Sequence, residues 1–260
     1  MTYKDLLVMV DDGFGATERI RFAVALAERF DAHLAGLYGA PPTRPELPQV
    51  ARRARERFED IAGQRRISME WRAAHGFPVD AAVVQARYVD LVILGQLEPG
   101  NALASVDCPP PEEVALSVGR PVLVVPYVGQ YAAAGPRALV AWNASREATR
   151  AINDALPLLA AAGSVTVLTV DPVVGHDEHG EVPGADIGLY LARHGIKAHV
   201  EEAVSGEVGV GDVVLSRAAD MGADLLVMGA YGHSRVRELV LGGVTRTILK
   251  SMTLPVLMSH

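Results

Sequence analysis

Short apolar runs alternate along this chain with longer stretches striped at helical spacing. In the first half, Leu6–Val10, His33–Tyr38, Ile67–Arg72, Asp90–Leu94 and Val122–Val125 read as strands. Between them, Ile20, Ala23, Val24, Ala27 and Phe30 share one helix face, and Val50, Ala54, Phe58 and Ile61 stripe a heavily charged helix. Val79–Arg87 and Glu112–Val118 predict two more helices. The second half repeats the order, with strands at Leu139–Trp142, Ser164–Val170, Ala198–Val204, Leu225–Met228 and Val256–Met258. Ser145 can cap a helix with inner face Ala148, Ile152, Ala155 and Leu159. Ile187–His194, stopped by Gly195, and Val210–Ala219 are the next helices, and Ile248, Leu249 and Met252 mark the last. Strands alternating with helices predict parallel βαβ units: an α/β chain with open sheets covered by helices on both faces.

An internal repeat sets the domain organisation. DLVILGQ at Asp90–Gln96 recurs as DLLVMGA at Asp224–Ala230, and Pro121 recurs as Pro255, both at an offset of 134 residues. LVMVDDG near Leu7 answers LVAWNAS near Leu139 at an offset of 132. That period is too long for a solenoid and predicts a duplicated domain. The boundaries expected are 1–128 and 136–260, with the small, unpatterned GQYAAAGP at Gly129–Pro136 as linker.

The strongest candidate chemistry runs from Asp224 to Thr247. The apolar strand ends at Met228, Gly229 and Gly232 follow it, and Gly242, Gly243, Val244 and Thr245 open the next helix. Glycines after a strand allow close backbone approach, and a helix start offers free N–H groups and a positive dipole end to an anion. The spacing lacks the Lys of a P-loop and is not G-x-G-x-x-G. It resembles the G-x2-G-x9-G-[ST] signature of the universal stress protein family, on Gly229, Gly232 and Gly242, with Gly243 where that family has Ser or Thr and Thr245 matching its second hydroxyl. The resemblance covers nearly the whole chain as two tandem copies. It implies two open, mostly parallel five-stranded sheets of the Rossmann-like HUP type, and a stress-response nucleotide-binding module. The ligand implied is an adenine nucleotide: ATP first, ADP or AMP as alternatives, with Mg²⁺ as an optional companion.

Ligands of such sheets lie beyond the carboxyl ends of the strands, where the strand order reverses. Asn143, after the first strand of the second half, and Val170 and Asp171, after its second, are therefore expected beside Gly229 and Gly232. By resemblance, Asn143 stands where the family has an Asp that helps hold the nucleotide, and Val170 and Asp171 stand where it places adenine. An amide bonds a hydroxyl but ligates Mg²⁺ less well than a carboxylate does. His233 follows Gly232 and offers a backbone donor; Arg235 could screen phosphates or simply face solvent.

The same offset predicts that the first half binds no nucleotide. Subtracting 134 from Gly229, Gly232, Gly242, Gly243 and Thr245 gives Gly95, Glu98, Cys108, Pro109 and Pro111. Glu98 would repel phosphates, and prolines supply no N–H. The first half reads as a degenerate copy.

Bulk properties narrow the partners. A net charge of −7 and a pI near 5.6 argue against nonspecific binding to nucleic acid or anionic membrane. Cys108 is the only cysteine, which favours a reducing compartment, and the start of the chain shows no secretory pattern, so a cytoplasmic location is expected. Cys108 has no base or cation beside it in sequence and reads as structural. His176, Asp177, Glu178 and His179 have metal-ligand chemistry, but on a glycine-flanked stretch they read as a solvated loop. No nucleophile–base pair or metal set stands out, so catalysis beyond slow ATP hydrolysis is not expected. The halves are expected to pair as a pseudo-dimer, with a homodimer as a further option. Two alternatives stay open: a structural dimerisation module that has lost its ligand, and an ATP- or flavin-using enzyme on a related fold.

Overall fold

The computed structural model describes residues 2–40, 47–98, 108–131, 135–172, 183–231 and 243–260. The chain divides into two compact units, Thr2–Ala133 and Ala134–His260. In the first unit, β1 (Asp5–Met9), α1 (Ala16–Phe30), β2 (His33–Ala40), α2 (Leu47–Ala62), β3 (Met69–His75), α3 (Pro78–Gln85), β4 (Leu91–Gly95), α4 (Pro111–Ser117) and β5 (Val122–Val125) follow one another. Its strands lie in the order β3-β2-β1-β4-β5, and every pair is parallel. Leu6 to Met9 and Leu91 to Leu94 are buried at every consecutive position. Since neighbouring side chains point to opposite faces, both faces of the sheet are covered, which is why these strands read as unbroken apolar runs.

The second unit contains β6 (Arg137–Ala141), α5 (Arg146–Ala160), β7 (Ser164–Val170), α6 (Ala185–Arg193), β8 (Ala198–Ala203), α7 (Val210–Asp220), β9 (Leu225–Gly229), α8 (Gly243–Ser251) and β10 (Val256–Ser259). Its order, β10-β9-β6-β7-β8, is the same topology counted from its own first strand, again all parallel. The repeat extends to a polar detail. The Asp90 carboxylate accepts from the N–H groups of Lys4 and Asp5 at 2.7 and 3.1 Å, and the Asp224 carboxylate accepts from the N–H of Arg137 at 3.2 Å. Each aspartate fastens the start of its unit's first strand and so lies outside the fourth strand itself.

Strand boundaries shift where the apolar pattern is weak. β3 runs over Met69–His75 instead of Ile67–Arg72, because its partner β2 continues to Ala40 and the ladder carries pairing to His75. Its half-exposed edge position leaves little alternation to read. The helix expected to reach Arg87 stops at Gln85 and tightens into a 3₁₀ turn over Ala86–Tyr88. Phe30 and Ile61, placed on inner faces, are only half-buried.

Candidate functional site

In the second unit the strand order reverses between β6 and β9, which lie side by side with Ala141 opposite Met228. Leaving this edge are Trp142 and Asn143 from β6, Asp171 from β7 and Ala230 and Tyr231 from β9. Asn143, Val170, Asp171, Met228 and Gly229 thus share one edge of the sheet. Gly243, Val244 and Thr245 form the first turn of α8. The N–H of Tyr231 donates to the Oγ1 of Thr245 at 3.3 Å, tying that turn to the exit of β9. Gly232, His233, Arg235 and Gly242 lie outside the described residues, as do His176, Asp177, Glu178 and His179.

Four non-glycine residues have positive φ among the described residues. One, Asp31, ends α1; the others are Ala144 (56°), Asp171 (48°) and Tyr231 (59°), and they follow β6, β7 and β9. Left-handed backbone at a residue with a Cβ costs on the order of 1–3 kcal/mol and gathers at binding sites. Each of the three is braced. The Asn143 side-chain oxygen Oδ1 accepts from the N–H and hydroxyl of Ser145 at 3.3 and 2.7 Å, and Ser145 Oγ in turn caps α5 by accepting from the N–H of Ala148 at 3.1 Å. The Oδ1 of Asn143 is committed to this turn, so what the side chain can offer a ligand is its NH₂ donor. The Asp171 carboxylate accepts from the N–H of Ser205 at 3.0 Å and from the Ser205 hydroxyl, and these bonds hold its pKa below the ordinary aspartate value. Tyr231 is fixed through Thr245.

The two glycines of this site that the structure describes have different reasons. A Cβ on Gly229 would lie 2.5 Å from the N of Ala148 and 2.7 Å from the carbonyl carbon of Glu147, so glycine there admits the start of α5. A Cβ on Gly243 would meet none of the described residues within 4 Å. Glu147 is buried beside this contact. Burial disfavours its charge, but the hydrogen bond from Arg146 at 2.7 Å, its own backbone N–H and the charges of Arg146 and His260 together pull its pKa down.

The equivalent edge of the first unit lies between β1 and β4. Gly95, Glu98 and Cys108 line a cavity there of about 30 Å³, together with Asp11, Arg19 and Tyr127. That volume is room for about one water molecule. Pro110 and Pro111 head α4, as N-cap and first helical residue. Cys108, without a cation beside it in sequence, meets Asp11 and Arg19 in space. Burial and the Asp11 carboxylate outweigh the nearby cation and push its thiol up to about 12.

Sequence reasoning missed Ser205, Tyr231 and Arg19. Only Arg19 left a signal: it stands among Ala16, Ile20 and Ala23, on the apolar face of α1, where a charge requires a buried partner. Among the described residues no group of three or more His, Cys, Asp or Glu is arranged to hold a metal ion, and no helix is long and apolar enough to cross a membrane.

Residues 136–260 match the model of the Universal stress protein family. A curated relative, Universal stress protein Slr1230 of Synechocystis sp., is 30% identical over 150 residues, which are 56% of this chain and 49% of that protein. The chain therefore spans about half the length of that relative. A universal stress protein from Archaeoglobus fulgidus DSM 4304 superimposes with a TM-score of 0.74 at 16% identity, over 98% of this chain and 95% of that one. A functionally unknown protein from Pseudomonas aeruginosa PAO1 does so with a TM-score of 0.64 at 16% identity, over 99% and 92%. The two structures share the fold.

Proposed function

We propose, since residues 136–260 match the model of the universal stress protein family, that this second unit holds an adenine nucleotide, ATP in the first instance, and acts as a stress-response binding module. The reading rests on one observation above the others: the left-handed residues Ala144, Asp171 and Tyr231 stand at three strand exits on one edge, Ala144 inside the Asn143–Ser145 turn and the other two bonded to neighbouring segments. Strain kept at that place serves a surface that must be shaped before the ligand arrives. In this reading the first turn of α8 faces the phosphates with backbone N–H groups, and Thr245 holds that turn against β9. The NH₂ group of Asn143 meets a ribose hydroxyl, and the backbone at Val170 and Asp171 borders the base. With the Asp171 carboxylate engaged by Ser205 and an amide at 143, Mg²⁺ has weak purchase. The first unit takes no nucleotide, so one binds per chain.

Mass spectrometry of the supernatant from heat-denatured protein is expected to show ATP, ADP or AMP, and calorimetric titration of emptied protein with ATP should give one site per chain. The Gly243→Ser variant should bind several-fold more tightly, since the space around that position admits a hydroxyl that can bond a phosphate. Flavin in the supernatant, or no nucleotide and no heat up to millimolar ATP, would sink the reading.

A further inference from the structure

The first unit keeps a crevice where its strand order reverses, and a cation fills it. Arg19 rises from α1 to the carboxyl ends of β1 and β4 with only 3% of its surface exposed, and Asp11 beside it is 4% exposed. Its Nε donates to the carbonyl of Met9 at 2.8 Å, and its Nη2 donates to the Asp11 carboxylate. Its Nη1 lies against Gly95 so closely that a Cβ there would sit 1.9 Å away. The second Asp11 oxygen accepts from the N–H of Gly13 at 2.7 Å. Carbonyl, carboxylate and a bare glycine surface thus enclose one planar cation at the place where open α/β sheets receive their ligands.

We propose that the first-unit crevice is a guanidinium site permanently occupied by the chain's own Arg19, and that this internal occupant is what closes the crevice to outside molecules. The inference goes beyond the nucleotide reading and stands whether or not the second unit binds one. It separates a shaped site from an ordinary buried ion pair. A shaped site stays open and charged when its occupant is removed, and so accepts a free guanidinium from solution. An ordinary pair collapses or fills with water and does not.

The test compares the full chain with Arg19→Ala and with Asp11→Asn/Arg19→Ala, in thermal unfolding with and without tens of millimolar methylguanidinium. Arg19→Ala leaves Asp11 buried and unpaired, and its midpoint should fall by about 10 °C. Methylguanidinium should restore about half of that loss in a saturable way, while leaving the native chain and the double variant unmoved. Methylurea, neutral and of the same shape, should restore nothing. If Arg19→Ala does not fold unaided, its refolding yield from urea with each additive carries the same reading. No recovery with methylguanidinium, equal recovery with methylurea, or equal recovery of the double variant would each overturn the proposal.

Discussion

The two units carry the same strand order and keep a glycine at the same place, yet the glycines answer to different neighbours. Gly229 makes room for the backbone that opens α5; Gly95 makes room for the guanidinium of Arg19. The exits around Gly229 hold three left-handed residues with a Cβ, whereas in the described part of the first unit the sole such residue is Asp31, at the end of α1. In one unit the described exits are left-handed and strained; in the other they are relaxed and a buried arginine stands among them. A position that repeats in a duplicated sequence therefore need not repeat its reason. The neighbours around it, and not the glycine, set what the position does.

That contrast can be broken by adding one carbon to each glycine. Gly229→Ala and Gly95→Ala should each destabilise their unit by about 1–3 kcal/mol in urea unfolding, because both sites are tightly packed. Placed in the Asp11→Asn/Arg19→Ala background, Gly95→Ala should lose most of its cost, a coupling of about 1–2 kcal/mol. Gly229→Ala should keep its cost in that background, since it meets main chain that no side-chain truncation removes. Coupling at neither glycine would mean that Arg19 does not fill the first edge.

A smaller effect, of opposite sign, is expected at the strained exits. Ala144→Gly should stabilise the chain by about 0.5–1 kcal/mol, because glycine adopts positive φ without a steric penalty. The same substitution should weaken ATP binding, measured by calorimetry, if the strained turn shapes the site.

The smallest effect concerns acid stability. The folded-state pKa of Asp171 is lowered, so its contribution is present above the ordinary aspartate value and is lost as pH falls through the folded-state value. Ser205→Ala removes one of the two donors responsible. It should move the acid-unfolding midpoint slightly upward in circular dichroism, with no change above about pH 6. A shift near neutral pH would show that another group titrates there.

Much of this architecture was legible in the sequence because central parallel strands are buried on both faces and leave uninterrupted apolar runs. Leu6–Met9, Leu91–Leu94 and Leu225–Met228 are of that kind. β3, at a half-exposed edge, is not, and its pattern places it two to three residues early. The cap at Ser145 and the stop at Gly195, where φ is +77°, could be read from residue type alone. At the candidate site, sequence located the strand exits but could not see how they are held. Asp171 meets Ser205 across 34 positions and Tyr231 meets Thr245 across 14, contacts that exist only once the sheet is assembled. Arg19 and Asp11 are eight positions apart, and that pair was readable: a charge on an apolar stripe with an acid at the preceding strand end.

The single thiol of the chain, that of Cys108, lies on the wall of the first-unit crevice and is pushed up to about 12. At pH 8 its reactive fraction is about a thousandfold below that of an exposed thiol of pKa 9.0. The molecule therefore comes with a native gauge. Alkylation of the intact chain counts the occasions on which this wall breathes, against a background free of competing thiols.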